Sequence, residues 1–146
     1  MQAELLIHAR WVAPVDTPGV LEHYAVAVSD GRIVALLPGE EAERTIEARE
    51  RIELGEHLLI PGLVNAHTHA GMSLFRGYAD DLPLDIWLKE RIWPAEAQWV
   101  SEEFVRDGTL ATAAEMLAGG VTCFADMYFF PGAAIESALG LGLRIA

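Results

Sequence analysis

Leu58-Leu59-Ile60-Pro61-Gly62-Leu63-Val64-Asn65-Ala66-His67-Thr68-His69-Ala70-Gly71 is the stretch on which the fold turns. Its apolar run from Leu58 to Asn65 carries no charge, as expected of a strand buried on both faces of a parallel sheet. The run gives way to a His-x-His pair and then to Gly71. Side chains two apart on a strand share a face, so His67 and His69 address one point while Thr68 turns away. Two imidazoles so placed suit one metal ion, and in β/α barrels such groups stand at the C-terminal ends of strands. A His-x-His alone is a weak signal, because surface and core histidines produce the same spacing. The surrounding strand, Pro-Gly turn and glycine-containing loop strengthen the metal reading.

Downstream the pattern is strand, long connection, helix, strand. Ser101 to Ala118 predicts a helix with Ser101 as N-cap, Glu102 and Glu103 at its positive end, and Gly119-Gly120 as the stop. Val121 to Asp126 reads as a second strand, Gly132 to Gly140 as another helix, and Leu143 to Ala146 as the beginning of a third strand. That alternation predicts an α/β fold: residues 58–146 hold about the first three β/α units of an incomplete (β/α)8 barrel, whose full set takes roughly 250 residues. The sheet then stops with an open edge, to be covered by further sequence or by another copy in a homo-oligomer.

Upstream, residues 1–57 read as a small β-sandwich-type module, with strands over Leu5–Ala13, Ala25–Ser29, Arg32–Leu37 and Thr45–Leu54. Asp30-Gly31 between two apolar runs supplies the positive dihedrals of a tight hairpin. Glu40 to Glu43 is an exposed loop or short helical turn. His8, His23 and His57 fall in this module, away from the His67 region, and are poor ligand candidates.

The net charge of −12 is split evenly about His57, and nine Arg and one Lys are scattered. That distribution argues against a nucleic-acid partner, which needs a basic face. Cys123, the single cysteine, excludes an intrachain disulfide and fits a reducing compartment. The N-terminus lacks the basic region of a secretory signal, and the apolar run is too short to span a bilayer. The expectation is a cytoplasmic protein with no membrane partner.

The stretch from Pro61 through His67-Thr68-His69 to Arg76-Gly77 resembles the amidohydrolase superfamily in its branch of aminohydrolases and chlorohydrolases. Leu82-Pro83-Leu84-Asp85-Ile86-Trp87-Leu88, Ile92-Trp93-Pro94-Ala95-Glu96-Ala97 and Cys123 to Tyr128 look like the 5-methylthioadenosine/S-adenosylhomocysteine deaminases. The resemblance covers the whole chain and corresponds to roughly the first third of such an enzyme. It implies hydrolytic removal of the C6 amino group of an adenine nucleoside, a small-molecule substrate, with one divalent metal ion, zinc, as cofactor.

By the same resemblance, His67 and His69 are metal ligands, Glu96 binds the substrate at its ribose hydroxyls, and Trp87 forms an apolar wall of the pocket. The family's later histidines, its proton-shuttling Glu and its final Asp have no counterpart, so no catalytic residue falls within this span. The isolated chain is expected to bind metal weakly and to be inactive. Arg76 is expected to pair with Asp80 or Asp81. Asp126 is expected in a cap or turn role or hydrogen-bonded behind the site, and Tyr128-Phe129-Phe130 in packing or at a pocket rim. Competing readings are a guanine deaminase or triazine hydrolase of the same branch, and a non-catalytic interaction module.

Overall fold

Strand β1 (Gln2–Val12) is followed by β2 (Leu21–Ser29) and β3 (Arg32–Pro38). Asp30 and Gly31 join the last two at φ of 50° and 67°, the mirror-image turn whose twist matches the antiparallel strands it connects. The structure, a computed structural model, describes residues 1–16 and 18–146. It divides into two units, Met1–Pro61 and Gly62–Ala146.

In the first unit, helix α1 (Gly39–Thr45) precedes β4 (Glu47–Leu59), which pairs in parallel with β1. The sheet order is β3-β2-β1-β4. Ala42 of α1 is buried among Ala3, Leu6, Ala25, Ala27 and Ile46, so the Glu40–Glu43 stretch is helical because its one small apolar residue docks on the sheet. These strands form a single mixed sheet with a helix against it. In place of the expected sandwich, helix α1 packs against β2 and β3, while Ala9, Val12 and Val26 form a second apolar cluster of this sheet in which α1 takes no part.

The second unit begins with β5 (Leu63–Thr68) and a 3₁₀ turn over Ala70–Phe75. One helical segment follows, made of α2 (Leu84–Ile86), a π-helical turn (Trp87–Ile92) and α3 (Trp93–Trp99). Then come α4 (Glu102–Ala118), β6 (Val121–Asp126), α5 (Pro131–Gly140) and β7 (Arg144–Ile145). The three strands are parallel in the sequential order β5-β6-β7, the arrangement that helical crossovers produce. Phe124 and Leu143 are almost fully buried and pack with Ala70, Ala113, Met116 and Ala138. The core thus sits between the sheet and the two long helices.

The run Leu58–Asn65 is not one buried strand. Leu58 and Leu59 end β4, and Pro61, which has no N–H to give a ladder, separates them from β5. Gly62 passes so close to β6 that a Cβ there would lie 2.3 Å from the Thr122 side chain. Leu63 and Val64 are 49% and 65% exposed, because β5 is an edge strand of this sheet.

Ser101 caps α4 as the sequence predicts, its Oγ accepting the Phe104 N–H at 3.1 Å. Ser101→Ala should therefore cost about 1 kcal/mol of stability. Chemical denaturation checks this, and an unchanged midpoint with an unchanged slope would count against the cap.

Candidate functional site

The pairing of β5 with β6 ends at Thr68 opposite Asp126, and the site grows from that point. The two imidazoles lie edge to face, with ring centres 5.0 Å apart and planes at 84°, close enough to share one ion. His67 is exposed and His69 half-buried. The His67 N–H donates to Asn65 Oδ1 at 3.3 Å, so Asn65 supports the strand end locally.

His69 Nδ1 lies 2.5 Å from the Met127 carbonyl oxygen. A carbonyl oxygen only accepts, so Nδ1 carries the proton and Nε2 keeps its lone pair free for a cation. A free Nε2 on His69 with a second imidazole beside it is a donor set that fits a metal ion. Catalytic zinc takes three protein ligands or more, so two imidazoles alone would not complete such a site.

The turn after His69 is held in place by β6 and α4. Asp126 Oδ1 accepts the Ala70 N–H at 2.7 Å. Burial pushes the Asp126 carboxyl up, against the opposing pull of that N–H and of His69. Thr112 Oγ1 of α4 donates to the Ala70 carbonyl at 2.9 Å, and Ser73 Oγ to the Gly108 carbonyl at 3.0 Å. Asp126 thus takes a turn-holding role directly beside His69.

A cavity of about 400 Å³ opens next to His69 and is lined by Met72, Trp87, Trp93, Glu96 and Tyr128 among others. Trp87 reaches it from the first residue of the π-helical turn, a geometry that recurs at functional sites. The Tyr128 hydroxyl donates to Glu96 Oε1 at 2.9 Å. Burial and, next, the Glu96 carboxylate raise the Tyr128 hydroxyl above its ordinary range, which keeps it a donor. Both Trp87 and Glu96 therefore face the same space as His69. His67 stands beside that space without lining it.

Arg76 does not pair with Asp80 or Asp81. Its guanidinium forms a two-pronged pair with Glu115 of α4 at 2.8 and 2.9 Å, because the 3₁₀ turn packs along that helix and brings Arg76 to it. Sequence reasoning also passed over what Met127 and Tyr128 contribute. A backbone carbonyl carries no sequence signal, and Tyr128 and Glu96 are 32 positions apart.

In the first unit, donor atoms of His8, Glu43 and Glu53 come within 4.8 Å of one another. Glu43, however, is bound by Arg51 and lies 2.8 Å from His8 Nε2, and both carboxylates are exposed. An ion-pair network accounts for His8 and Glu43, and Glu53 lies beside it on the surface.

Residues 58–146, more than half of the chain, match the amidohydrolase family. The chain belongs to the amidohydrolase family. Among amidohydrolase relatives, it is 51% identical over 143 residues to a 5-methylthioadenosine/S-adenosylhomocysteine deaminase of Saccharophagus degradans, covering 97% of this chain and 32% of that protein. It is 41% identical over 145 residues to a 5'-deoxyadenosine deaminase of Methanosarcina mazei, again covering 97% and 32%. The crystal structure of an adenosine deaminase from Xanthomonas campestris with bound zinc superposes with a TM-score of 0.94 at 47% identity, covering 99% of this chain and 33% of that one. The chain thus spans about a third of the length of the curated relatives it matches.

Proposed function

We propose that this chain supplies the first metal ligands and one wall of the nucleoside pocket in a hydrolytic deaminase acting on 5-methylthioadenosine and S-adenosylhomocysteine. Met1–Pro61, which takes in the 1–57 expected from the sequence and the end of β4, is the accessory β module, and Gly62–Ala146 the start of a β/α barrel, which further strands and ligands complete in the full-length protein. The observation that carries the reading is the shared cavity: a histidine with a free Nε2, an aromatic wall and a carboxylate face one space of nucleoside size. The names of the relatives supply the substrate class.

In the reaction, water adds its oxygen to C6 of adenine, the C6–N bond breaks, and ammonia leaves with the proton it needs, giving the hypoxanthine product. His67 and His69 would hold zinc, which when bound makes water a stronger nucleophile at neutral pH. Trp87 and Trp93 shield the ring from solvent. Glu96 accepts hydrogen bonds from the ribose hydroxyls through its carboxylate, an arrangement in which both hydroxyls find a charged acceptor. Among the described residues no helix is long and apolar enough to cross a membrane, and a cytoplasmic location is our reading of the single cysteine and net charge of −12 in this span.

The test is direct. The full-length protein loaded with zinc should release ammonia from S-adenosylhomocysteine and 5-methylthioadenosine, and failure on both, with turnover of guanine or a triazine, would replace the substrate assignment. Glu96→Gln should weaken nucleoside use by about tenfold or more, the effect of removing a charged acceptor, while zinc content stays unchanged. Kinetics identical to the parent would remove Glu96 from the pocket.

A further inference from the structure

Asp126, Met127 and Tyr128 follow one another at the C-terminal end of β6, and each reaches a different part of the site. The Asp126 carboxylate accepts the Ala70 N–H, the Met127 carbonyl accepts from His69 Nδ1, and the Tyr128 hydroxyl donates to Glu96 Oε1. One tripeptide thereby fixes the turn behind the metal ligand, the orientation of the imidazole and the carboxylate on the other side of the cavity.

Glu96 has particular need of such a hold. It stands on α3, at the end of a helical segment whose π turn departs from regular backbone geometry. Among the described residues, the Tyr128–Glu96 contact is the only side-chain hydrogen bond tying Leu84–Trp99 to the rest of its unit. A carboxylate has about four lone-pair positions. With one of them occupied by Tyr128, the turning of the group is restricted while Glu96 lines the cavity.

We infer that Tyr128 is a positioning residue for Glu96, and that Asp126–Tyr128 sets the span between the metal end of the pocket and the end that receives the sugar hydroxyls. This rests on the reading of Glu96 as the acceptor for those hydroxyls. The physical reason is preorganisation: a carboxylate already oriented loses less freedom when the substrate arrives. Tyr128 acts through the Glu96 carboxylate. Its effect falls on substrates that possess the hydroxyls and spares those that lack them.

The experiment compares Tyr128→Phe, Glu96→Gln and the double variant in the zinc-loaded full-length enzyme, with an adenine ribonucleoside and its 2′,3′-dideoxy counterpart as substrates. Tyr128→Phe keeps the ring, so packing is retained, and a thermal melt of each variant verifies this. For the ribonucleoside, Tyr128→Phe should raise KM about tenfold with kcat changed less than about threefold. For the dideoxy substrate KM should stay put, and the double variant should be no worse than Glu96→Gln alone. Equal losses on both substrates, or losses that multiply in the double variant, would overturn the positioning role while leaving Glu96 in place. If Glu96→Gln itself spares the ribonucleoside, the reading of Glu96 fails and the inference falls with it, a result distinct from the first.

Discussion

His67→Ala and His69→Ala in the full-length protein should each remove bound zinc and lower deaminase turnover on the order of a thousandfold, which corresponds to the several kcal/mol a metal contributes to such a transition state. On the proposed reading the two substitutions would act on the same ion by different routes. His67 is exposed and contributes its ring to the pair from the strand itself. His69 sits one residue past β5, and its ring is oriented by the Met127 carbonyl, so removing it also leaves that carbonyl without its donor. Metal analysis of the purified variants, read beside ammonia release, separates loss of metal from loss of fold. His8→Ala is the matched control, since its ring belongs to the Glu43 network of the other unit, and it should leave zinc and turnover as they are. Stoichiometric zinc with intact turnover in either site variant would end the ligand assignment.

Much of this was legible in the sequence because the signals were local. Asp30-Gly31 specifies its own turn, Ser101 followed by Glu102 and Glu103 specifies a helix start, and Val121 to Asp126 is bounded by Gly119-Gly120 on one side. The His-x-His spacing on a strand end is likewise a local fact. What failed was longer-range. Whether Leu63 and Val64 are buried depends on what lies beside β5, and periodicity does not report that. The partner of Arg76 depended on which helix the 3₁₀ turn packs along. The segment with the π turn at Trp87 brings Trp87 and Glu96 to one cavity; its residue pattern alone reads as a long connection, and the family resemblance is what points to a pocket for both. Tyr128 reads from the sequence as packing or pocket rim, and its bond to Glu96 exists only once α3 has been placed against the end of β6.

The glycines of the second unit give the remaining large expectation. A Cβ at Gly108 of α4 would lie 2.3 Å from the Gly71 carbonyl oxygen and 2.9 Å from its C and Cα. These are backbone atoms of the turn that follows His69, and they are already tied to α4 through Ser73 and Thr112. Neither side can yield by a rotamer change. Alanine would favour the helix by up to about 1 kcal/mol over glycine, but overpacking against a fixed backbone costs roughly 1–3 kcal/mol or more. At this separation the clash outweighs the propensity gain, so Gly108→Ala should destabilise. Gly71 in turn has Tyr128 ring atoms 3.0 and 3.2 Å and Val105 Cα 3.3 Å from its own Cβ position, so the turn has little free space in which to shift. Zinc affinity and nucleoside KM should therefore worsen together in this variant, although Gly108 lines no part of the cavity. Gly132→Ala supplies the opposite sign, because nothing lies within 4 Å of a Cβ there and α5 should gain up to about 1 kcal/mol. Thermal unfolding of the full-length protein should rank Gly132→Ala at or above the parent and Gly108→Ala below it. A Gly108→Ala variant that melts with the parent and keeps its zinc would show that α4 and the His69 turn can separate without cost, against the interlock these distances describe.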